Sequence, residues 1–232
     1  MTATVKKSVI REYFESIVIA VILALFVRTW VVQAFKIPTG SMENNLLIGD
    51  HLLVNKFIVG PTPLAIGRAL LPVRPIRRGD IVVFKYPDEP DRDFIKRVIG
   101  LPGETVELRN KKVYINGKPI DEPYVHFLSP PSSAGQEVTS ADVRENYAPV
   151  TVPPDHYFVM GDNRDNSQDS RYWGFLPRDY VKGKALLIYW SYESGREDYI
   201  DEGLGASVRR LGSVLAHFFT RTRWERLGHQ IR

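Results

Sequence analysis

The hydrophobic pattern begins with an unusually long apolar run near the N-terminus. The run is unbroken over residues 17–27 and resumes over residues 30–35, after Arg28 and Thr29. As a helix, residues 17–35 span about 28 Å, close to the thickness of the hydrocarbon core of a bilayer. The pattern therefore predicts a transmembrane anchor over residues 17–35.

The residues around this run are compatible with more than one interpretation of it. Lys6, Lys7 and Arg11 precede it and favour a cytoplasmic N-terminal tail over residues 1–16. Residues 32–34 supply small side chains at −3 and −1, so a cleavable signal peptide competes with a retained anchor. A buried core helix is a third interpretation, although it does not need so continuous an apolar surface. The first two interpretations place most of the chain outside the cytoplasm.

From residue 36 to residue 202 the pattern changes to short apolar or alternating runs separated by prolines and glycines. The runs that predict strands are 52–54, 81–84, 105–108, 113–115, 157–160 and 185–190. Asn116 and Gly117 both tolerate positive φ, which predicts a tight hairpin after the fourth run. No long helical period appears in this region. We therefore expect an all-β domain built on antiparallel sheet over residues 36–202.

Two segments depart from this rhythm. Residues 121–154 contain six prolines and a Ser132-Ser133 pair, which predicts an extended surface insertion. Residues 203–232 carry apolar side chains at helical spacing and basic side chains on the other side. This basic amphipathic tail fits the surface of an anionic membrane, and it fits equally well a terminal helix packed on its own domain.

Composition narrows the function classes. The chain has 232 residues, 44% hydrophobic and 25% charged, which is an ordinary globular composition. Its 31 basic and 27 acidic residues give a net charge of +4, too mild to indicate a nucleic-acid partner. Cysteine is absent, which excludes disulfides, thiol nucleophiles and cysteine-ligated metals. The five histidines are scattered, so neither a metal ion nor another cofactor is predicted.

Two residues suggest nucleophilic chemistry. Ser41 follows Gly40 directly after the apolar run, although most serines in such a place are only turn residues. A serine hydroxyl is a weak nucleophile without a base. Lys96 lies among apolar residues on the predicted strand 93–100, where loss of solvent would lower its pKa. A neutral amine beside Ser41 could take the hydroxyl proton; the ordinary alternative is that Lys96 and Arg97 reach water at a strand edge.

A run of ten polar residues, 162–171, forms the third candidate segment. A solvated loop is the default interpretation, and a calcium loop fails because Arg164 falls on a ligand position. The alternating Asp and Arg residues instead predict an internal ion-pair network that would hold Ser167 in place. A histidine-based triad is not favoured, because Glu43 stands where the G-x-S-x-G elbow needs its second glycine.

Five blocks of sequence in a fixed order carry a family resemblance. The blocks are 38–42, 46–50, 78–84, 94–103 and 160–175. Together they resemble the bacterial type I signal peptidases, the leader peptidases of the S26 family. The resemblance implies a membrane-anchored serine endopeptidase on an all-β fold, which removes signal peptides from exported preproteins. It also favours a retained anchor over a cleaved leader.

The resemblance assigns roles by motif position. It implies that Ser41 is the nucleophile and Lys96 its general base. Ser167 would be the hydroxyl that orients the lysine amine. Thr39 stands where the family has a Ser or Thr that donates to the oxyanion, beside the Ser41 backbone N–H.

Further implications concern support, substrate and location. Asp169 and Arg171 match a structural ion pair of the family, and Ile37 and Ile95 fall where the walls of the substrate pocket are expected. Substrates would be preprotein signal peptides with small residues at −1 and −3. The enzyme would be a monomer in contact with membrane lipid and without nucleic acid. It would span the bacterial cytoplasmic membrane once, with its catalytic domain on the outer, periplasmic side.

One block departs from the family pattern. After Ser41-Met42 the family usually has a Pro-Thr pair, whereas residues 43–45 here are Glu-Asn-Asn. This change affects the turn behind the nucleophile and is expected to alter substrate fit more than chemistry. Two functions of other classes remain: a catalytically inactive, membrane-tethered β-domain that binds partners, and a self-cleaving Ser-Lys regulator of the repressor type. The regulator would need a DNA-binding helix-turn-helix where the apolar run lies.

Overall fold

The computed structural model describes residues 9–28, 32–56, 75–128, 143–193 and 204–231, with side chains of the last range from residue 212 onward. The α-helices in these ranges are α1 (Val9–Phe26), α2 (Ser170–Trp173) and α3 (Leu204–Arg221). The strands are β1 (Val32–Lys36), β2 (Asp50–Asn55), β3 (Ile81–Lys85), β4 (Asp93–Gly100), β5 (Thr105–Arg109), β6 (Lys112–Ile115), β7 (Lys118–Pro119), β8 (Tyr147–Thr151), β9 (His156–Met160), β10 (Leu176–Pro177) and β11 (Val181–Ser191).

The strands form two antiparallel sheets. The larger sheet has seven strands in the order β1-β2-β11-β3-β4-β9-β10, and the smaller has four in the order β7-β6-β5-β8. Each of the six predicted apolar runs lies within one of these strands. Asn116 and Gly117 have φ of 50° and 78° and join β6 to β7, as their turn chemistry predicts. The all-β, antiparallel prediction is confirmed.

Strand β4 connects the three apolar clusters of the core. Ile95 belongs to the cluster under β1, β2 and β11, whereas Val98 belongs to the cluster that includes Tyr157 and Leu176. Ile99 belongs to the third cluster, under the smaller sheet. Because successive side chains of a strand point to opposite faces, one central strand can serve cores on both sides. This central position also carries Lys96 and Arg97 away from solvent.

The helix expected over residues 17–35 differs from what is found. Helix α1 ends at Phe26 and a π-helical turn covers residues 27–28, whereas Val32–Lys36 form β1 and pair with β2. The β-branched and alternating residues at the end of the apolar run find a strand partner, and this pairing overrides the helical interpretation. No helix within the described residues has both the length and the apolar character needed to cross a membrane.

Part of the predicted insertion belongs to a sheet, and the end of the tail packs on the domain, which is one of the arrangements considered for it. Residues 147–151 of the insertion form β8 at the edge of the smaller sheet, where Pro149 is tolerated because an edge strand has unpaired N–H positions. Residues 129–142 lie outside the described residues. After α3, the C-terminal segment Thr222–Ile231 packs back onto β11 and buries Ile231 in the first core cluster.

Candidate active site

Ser41 and Lys96 meet in the interior of the larger sheet. Ser41 lies in a single 3₁₀ turn, Gly40–Met42, that follows β1, and Lys96 lies in the middle of β4. The lysine Nζ is 2.7 Å from the serine Oγ. The two residues are only 7% and 3% exposed. Among the described residues, the Ser41 hydroxyl makes this hydrogen bond only, and no histidine contacts it.

The surroundings of Lys96 favour its neutral form. Burial lowers the pKa of the amine to about 8; Asp169 and Asp162 act in the opposite direction, and Arg171 reinforces the lowering. The amine also donates to the Ile95 carbonyl, 3.0 Å away. A lysine with this pKa holds a substantial neutral fraction at mildly alkaline pH, and only that fraction can accept a proton.

Ser167 comes to the same region, but the predicted hydrogen bond to Lys96 is not formed. Within the described ranges its buried hydroxyl makes no hydrogen bond of standard geometry, although it lies beside Asp169 and helps to lower the pKa of that carboxyl. The lysine amine is oriented here by Ile95 and Ser41. The sequence motif predicted the neighbourhood of Ser167 and not its bonding.

Asp169 and Arg171 form a fully buried ion pair. Arg171 Nε donates to Asp169 Oδ1 at 2.8 Å and Arg171 Nη2 donates to Asp169 Oδ2 at 2.8 Å, while the Gly161 N–H adds a bond to the same carboxylate. Burial alone would raise the pKa of Asp169, but the hydrogen bonds and charge of Arg171 outweigh it and lower the pKa. Arg171 Nη2 also donates to the Arg164 carbonyl and so fixes the loop that carries Ser167.

Other ion pairs complete the network expected in the 162–171 loop. Each joins a loop residue to a different part of the fold, which holds the loop against both sheets. The pairs are Arg97–Asp162 (2.7 Å), Arg164–Glu122 (2.5 Å) and Lys111–Asp165 (3.1 Å).

Backbone contacts bring this loop against the nucleophile. A Cβ atom at Gly161 would lie 2.5 Å from the Ser41 carbonyl oxygen, so the contact requires glycine at this position. The Asn163 N–H donates to the same oxygen at 3.1 Å, and its side chain donates to the Gly40 carbonyl at 3.2 Å. The sequence analysis did not predict a role for Gly161 and Asn163. Both act by lying close to the Ser41 backbone, and no local residue pattern indicates such a contact.

The remaining candidates occupy different environments. Thr39 is exposed and extended, and its side chain does not cap the 3₁₀ turn. Ile37 and Ile95 are buried together in the first core cluster; Ile37 lies four residues before Ser41 and Ile95 directly before Lys96. No cluster of His, Cys, Asp and Glu that could hold a metal ion occurs among the described residues.

Comparisons with known proteins identify the family of the chain. The family model for signal peptidase, peptidase S26, matches residues 10–190. A signal peptidase I of Pseudomonas aeruginosa is 36% identical over 81% of this chain and 75% of its own length. A probable signal peptidase I-2 of Synechocystis is 40% identical over 77% of this chain and 72% of its own length. A solved signal peptidase I of Enterococcus faecalis is 37% identical, covers 48% of this chain and 97% of its own, and has a TM-score of 0.38. The chain belongs to the signal peptidase family, peptidase S26.

Proposed function

We propose that this chain cleaves signal peptides from preproteins with Ser41 as nucleophile and Lys96 as general base. The single observation that carries the assignment is the 2.7 Å contact between Lys96 Nζ and Ser41 Oγ in a buried setting. The lowered pKa of about 8 adds to it, since the base must be neutral before it can act.

The reaction follows from this geometry. The neutral Lys96 amine accepts the Ser41 proton as Oγ attacks the carbonyl carbon of the scissile bond, which gives a tetrahedral oxyanion. The resulting ammonium donates its proton to the leaving amine, and an acyl-enzyme remains on Ser41. A water molecule then attacks the ester, again with Lys96 as base, and releases the signal peptide.

Two donors are assigned to the oxyanion. They are the backbone N–H of Ser41 and the hydroxyl of Thr39, which is exposed and lies two residues before the nucleophile. Removal of one oxyanion donor typically costs ~3–4 kcal/mol of transition-state stabilisation. Ser167 is assigned to orient the lysine amine, because its buried hydroxyl lies beside the site and has no hydrogen-bond partner among the described residues.

The substrate assignment rests on apolar side chains near the dyad. Ile37 and Ile95 are the proposed walls of the pocket for the small residues at −1 and −3. Both belong to the core cluster that also holds Met42, next to the nucleophile. Because both side chains are almost fully buried, little space remains beside the dyad, and only small substrate side chains would fit there. One chain supplies both dyad residues, so we propose that the monomer is active.

Signal peptidases I of bacteria are membrane-associated, and we propose a single N-terminal anchor for this chain. None of the side chains of α1 is buried, and its apolar residues are exposed around the whole helix. Such a surface is unfavourable in water and suits lipid. In this arrangement residues 1–16 lie in the cytoplasm, and the β-domain faces the outer, periplasmic side of the cytoplasmic membrane. The exposed Leu215, Phe219 and Trp224 supply a second apolar surface for the tail.

Cleavage of a preprotein tests the function. Purified, detergent-solubilised protein is incubated with a preprotein that has Ala at −1 and −3, beside the Ser41→Ala variant. The expected result is one cut after the −1 residue, which the variant does not make. No cut by the folded wild-type protein would instead support a membrane-tethered β-domain that binds partners. Cleavage by both proteins at equal rates would show that Ser41 is not the nucleophile.

A further inference from the structure

The nucleophile lies in a loop that is closed at its base. The Ile37 N–H donates to the Asp50 carbonyl at 2.9 Å, and the Gly49 N–H donates to the Ile37 carbonyl at 3.0 Å. Residues 38–49 therefore leave the sheet and return to the same point. These two backbone hydrogen bonds fix where the loop starts and ends. The position of its far end depends on other contacts.

Asn45 holds the far end from the side of the 162–171 loop. Its side-chain Nδ2 donates to Asp162 Oδ2 at 2.7 Å and to the Tyr124 carbonyl at 3.0 Å. Asp162 is itself held by Arg97 in a buried pair. Asn45 thus connects the turn behind Ser41 to the rigid ion-pair network.

Arg226 holds the same residue from the opposite side. Its Nη2 donates to the Asn45 carbonyl at 2.8 Å and to Asp50 Oδ2 at 2.6 Å, and its Nε donates to Asp50 Oδ1 at 3.1 Å. Asp50 is fully buried and also accepts bonds from the Leu47 N–H and the Ser191 hydroxyl. One guanidinium therefore joins the base of the loop to its far end.

The segment that carries Arg226 is anchored independently. Within Thr222–Ile231, the Gly228 N–H donates to the Ile188 carbonyl at 2.8 Å, and the Ile231 N–H donates to the Leu186 carbonyl at 2.9 Å. Ile231 is buried in the cluster that contains Ile37 and Met42, on both sides of Ser41 in sequence. Arg226 is consequently attached to a fixed support, so its contacts restrain the loop.

We propose that Arg226 is a positioning residue for the nucleophile, and that the C-terminal segment Thr222–Ile231 completes the active site from behind. The proposal rests on the proposed function of Ser41. Arg226 touches neither Ser41 nor the substrate; it acts through Asn45 and Asp50, whose backbone and carboxylate set the course of residues 42–50. A displacement of a reacting group by about 1 Å costs on the order of 10²-fold in rate. Loss of this restraint should therefore reduce turnover while it leaves substrate binding intact.

The test compares three substitutions in the full chain on the preprotein substrate. Arg226→Met removes both contacts, and Arg226→Lys keeps the charge but cannot reach Asp50 and Asn45 together as a guanidinium does. Arg178→Met is the matched control, because Arg178 pairs with Asp155 at 3.7 Å on an exposed surface. For each variant kcat, KM, the pH profile and the melting temperature are measured, with activities taken well below the transition.

We expect Arg226→Met to lower kcat at least about tenfold, with KM within twofold of the wild type. The acid limb of the pH profile should keep its apparent pKa, because Arg226 does not contribute to the environment of Lys96. Arg226→Lys should recover part of the lost turnover, and the control should equal the wild type. Unchanged kcat in a folded Arg226 variant would overturn the proposal, as would a rise in KM alone. If Arg226→Met does not fold, Arg226→Lys decides by the same criterion.

The proposed function and this inference fail differently. Absence of cleavage by the wild-type protein contradicts the function of Ser41 before any variant is considered. Normal cleavage by wild type and by folded Arg226 variants contradicts only the positioning role. Equal losses of kcat in Arg226→Met and in the Arg178→Met control would also overturn it, since the effect would not depend on the Asn45 contact.

Discussion

Two neighbouring cations of β4 lie on opposite faces of the strand and have different partners. Lys96 and Arg97 are both almost fully buried, at 3% and 2% exposure. Arg97 meets Asp162 through two bonds of 2.8 and 2.7 Å and lies 3.9 Å from the ring centroid of Tyr124. Among the residues that the structure describes, no carboxylate contacts Lys96, which faces the Ser41 hydroxyl and a backbone carbonyl instead.

The difference separates a scaffold charge from a reactive group. A buried arginine cannot lose its proton, so it needs a carboxylate partner, and the pair then fixes the loops around it. Burial of a lysine without such a partner lowers its pKa, so the amine gives up its proton more readily. The same degree of burial therefore produces a structural cation on one face and a base on the other.

Replacement of Lys96, the proposed base, gives the largest expected effect on activity. Lys96→Arg and Lys96→Ala should both lower kcat/KM by at least ~10³-fold, because neither supplies a neutral amine next to Ser41. The measurement is preprotein cleavage by variants whose thermal transitions show that they are folded. Appreciable turnover by Lys96→Arg would contradict the assignment of the base.

Replacement of Arg97 by an uncharged residue should lower the free energy of unfolding. Arg97→Met leaves Asp162 buried without its partner, which typically costs ~3–5 kcal/mol of unfolding free energy. Urea denaturation of the variant and the wild type measures this difference. The double variant Arg97→Met/Asp162→Leu should recover most of the loss, and a double variant as unstable as the single one would show that the unpaired carboxylate is not the cause.

The pH dependence sharpens the comparison further. Burial lowers the pKa of Lys96 to about 8, so the ammonium form, which cannot accept a proton, predominates below that value. Below this pKa, kcat/KM should fall about tenfold for each pH unit and level off above it. Initial rates of cleavage from pH 5 to pH 9.5 test whether kcat/KM falls as the pH is lowered. A flat profile across the acidic half would show that Lys96 is not the base.

Surface ion pairs should give the smallest effect. Arg92 and Glu89 pair at 3.0 Å with side chains 61% and 57% exposed. Arg92→Met should change the unfolding free energy by less than ~1 kcal/mol, because solvent screens such pairs. Urea denaturation in the series with Arg97→Met gives the comparison. A loss as large as that of Arg97→Met would mean that burial does not determine the value of the pair.

Sequence reasoning succeeded where the signal is local. The alternation along β4, the turn chemistry of Asn116-Gly117 and the blocks around Ser41 and Lys96 predicted the sheet class and the family, which the comparisons confirm. The strand at Val32–Lys36 was missed, because its partner β2 lies beyond the Ser41 loop and an apolar run does not reveal strand pairing.

The same limit explains the residues that sequence reasoning did not find. Asn45 and Arg226 are separated by 181 positions, and their contact depends on how the chain returns to the sheet. A polar residue in a turn and an arginine in a basic tail carry no local sign of a shared role. Residues that act by proximity become visible only with the fold.

The placement of β2 between β1 and β11 has a consequence for the timing of biosynthesis. Between β2 and β11 lie residues 56–180, which is 125 residues, and Thr222–Ile231 are made later still. At ~5–20 residues per second, the ribosome needs roughly 6–25 s to make the intervening stretch. Lys96 is made early in that interval, but β11, which lies between β2 and β3 in the sheet, is made only after it. The Ser41–Lys96 contact and its support by Thr222–Ile231 can therefore form only late in the synthesis of the chain.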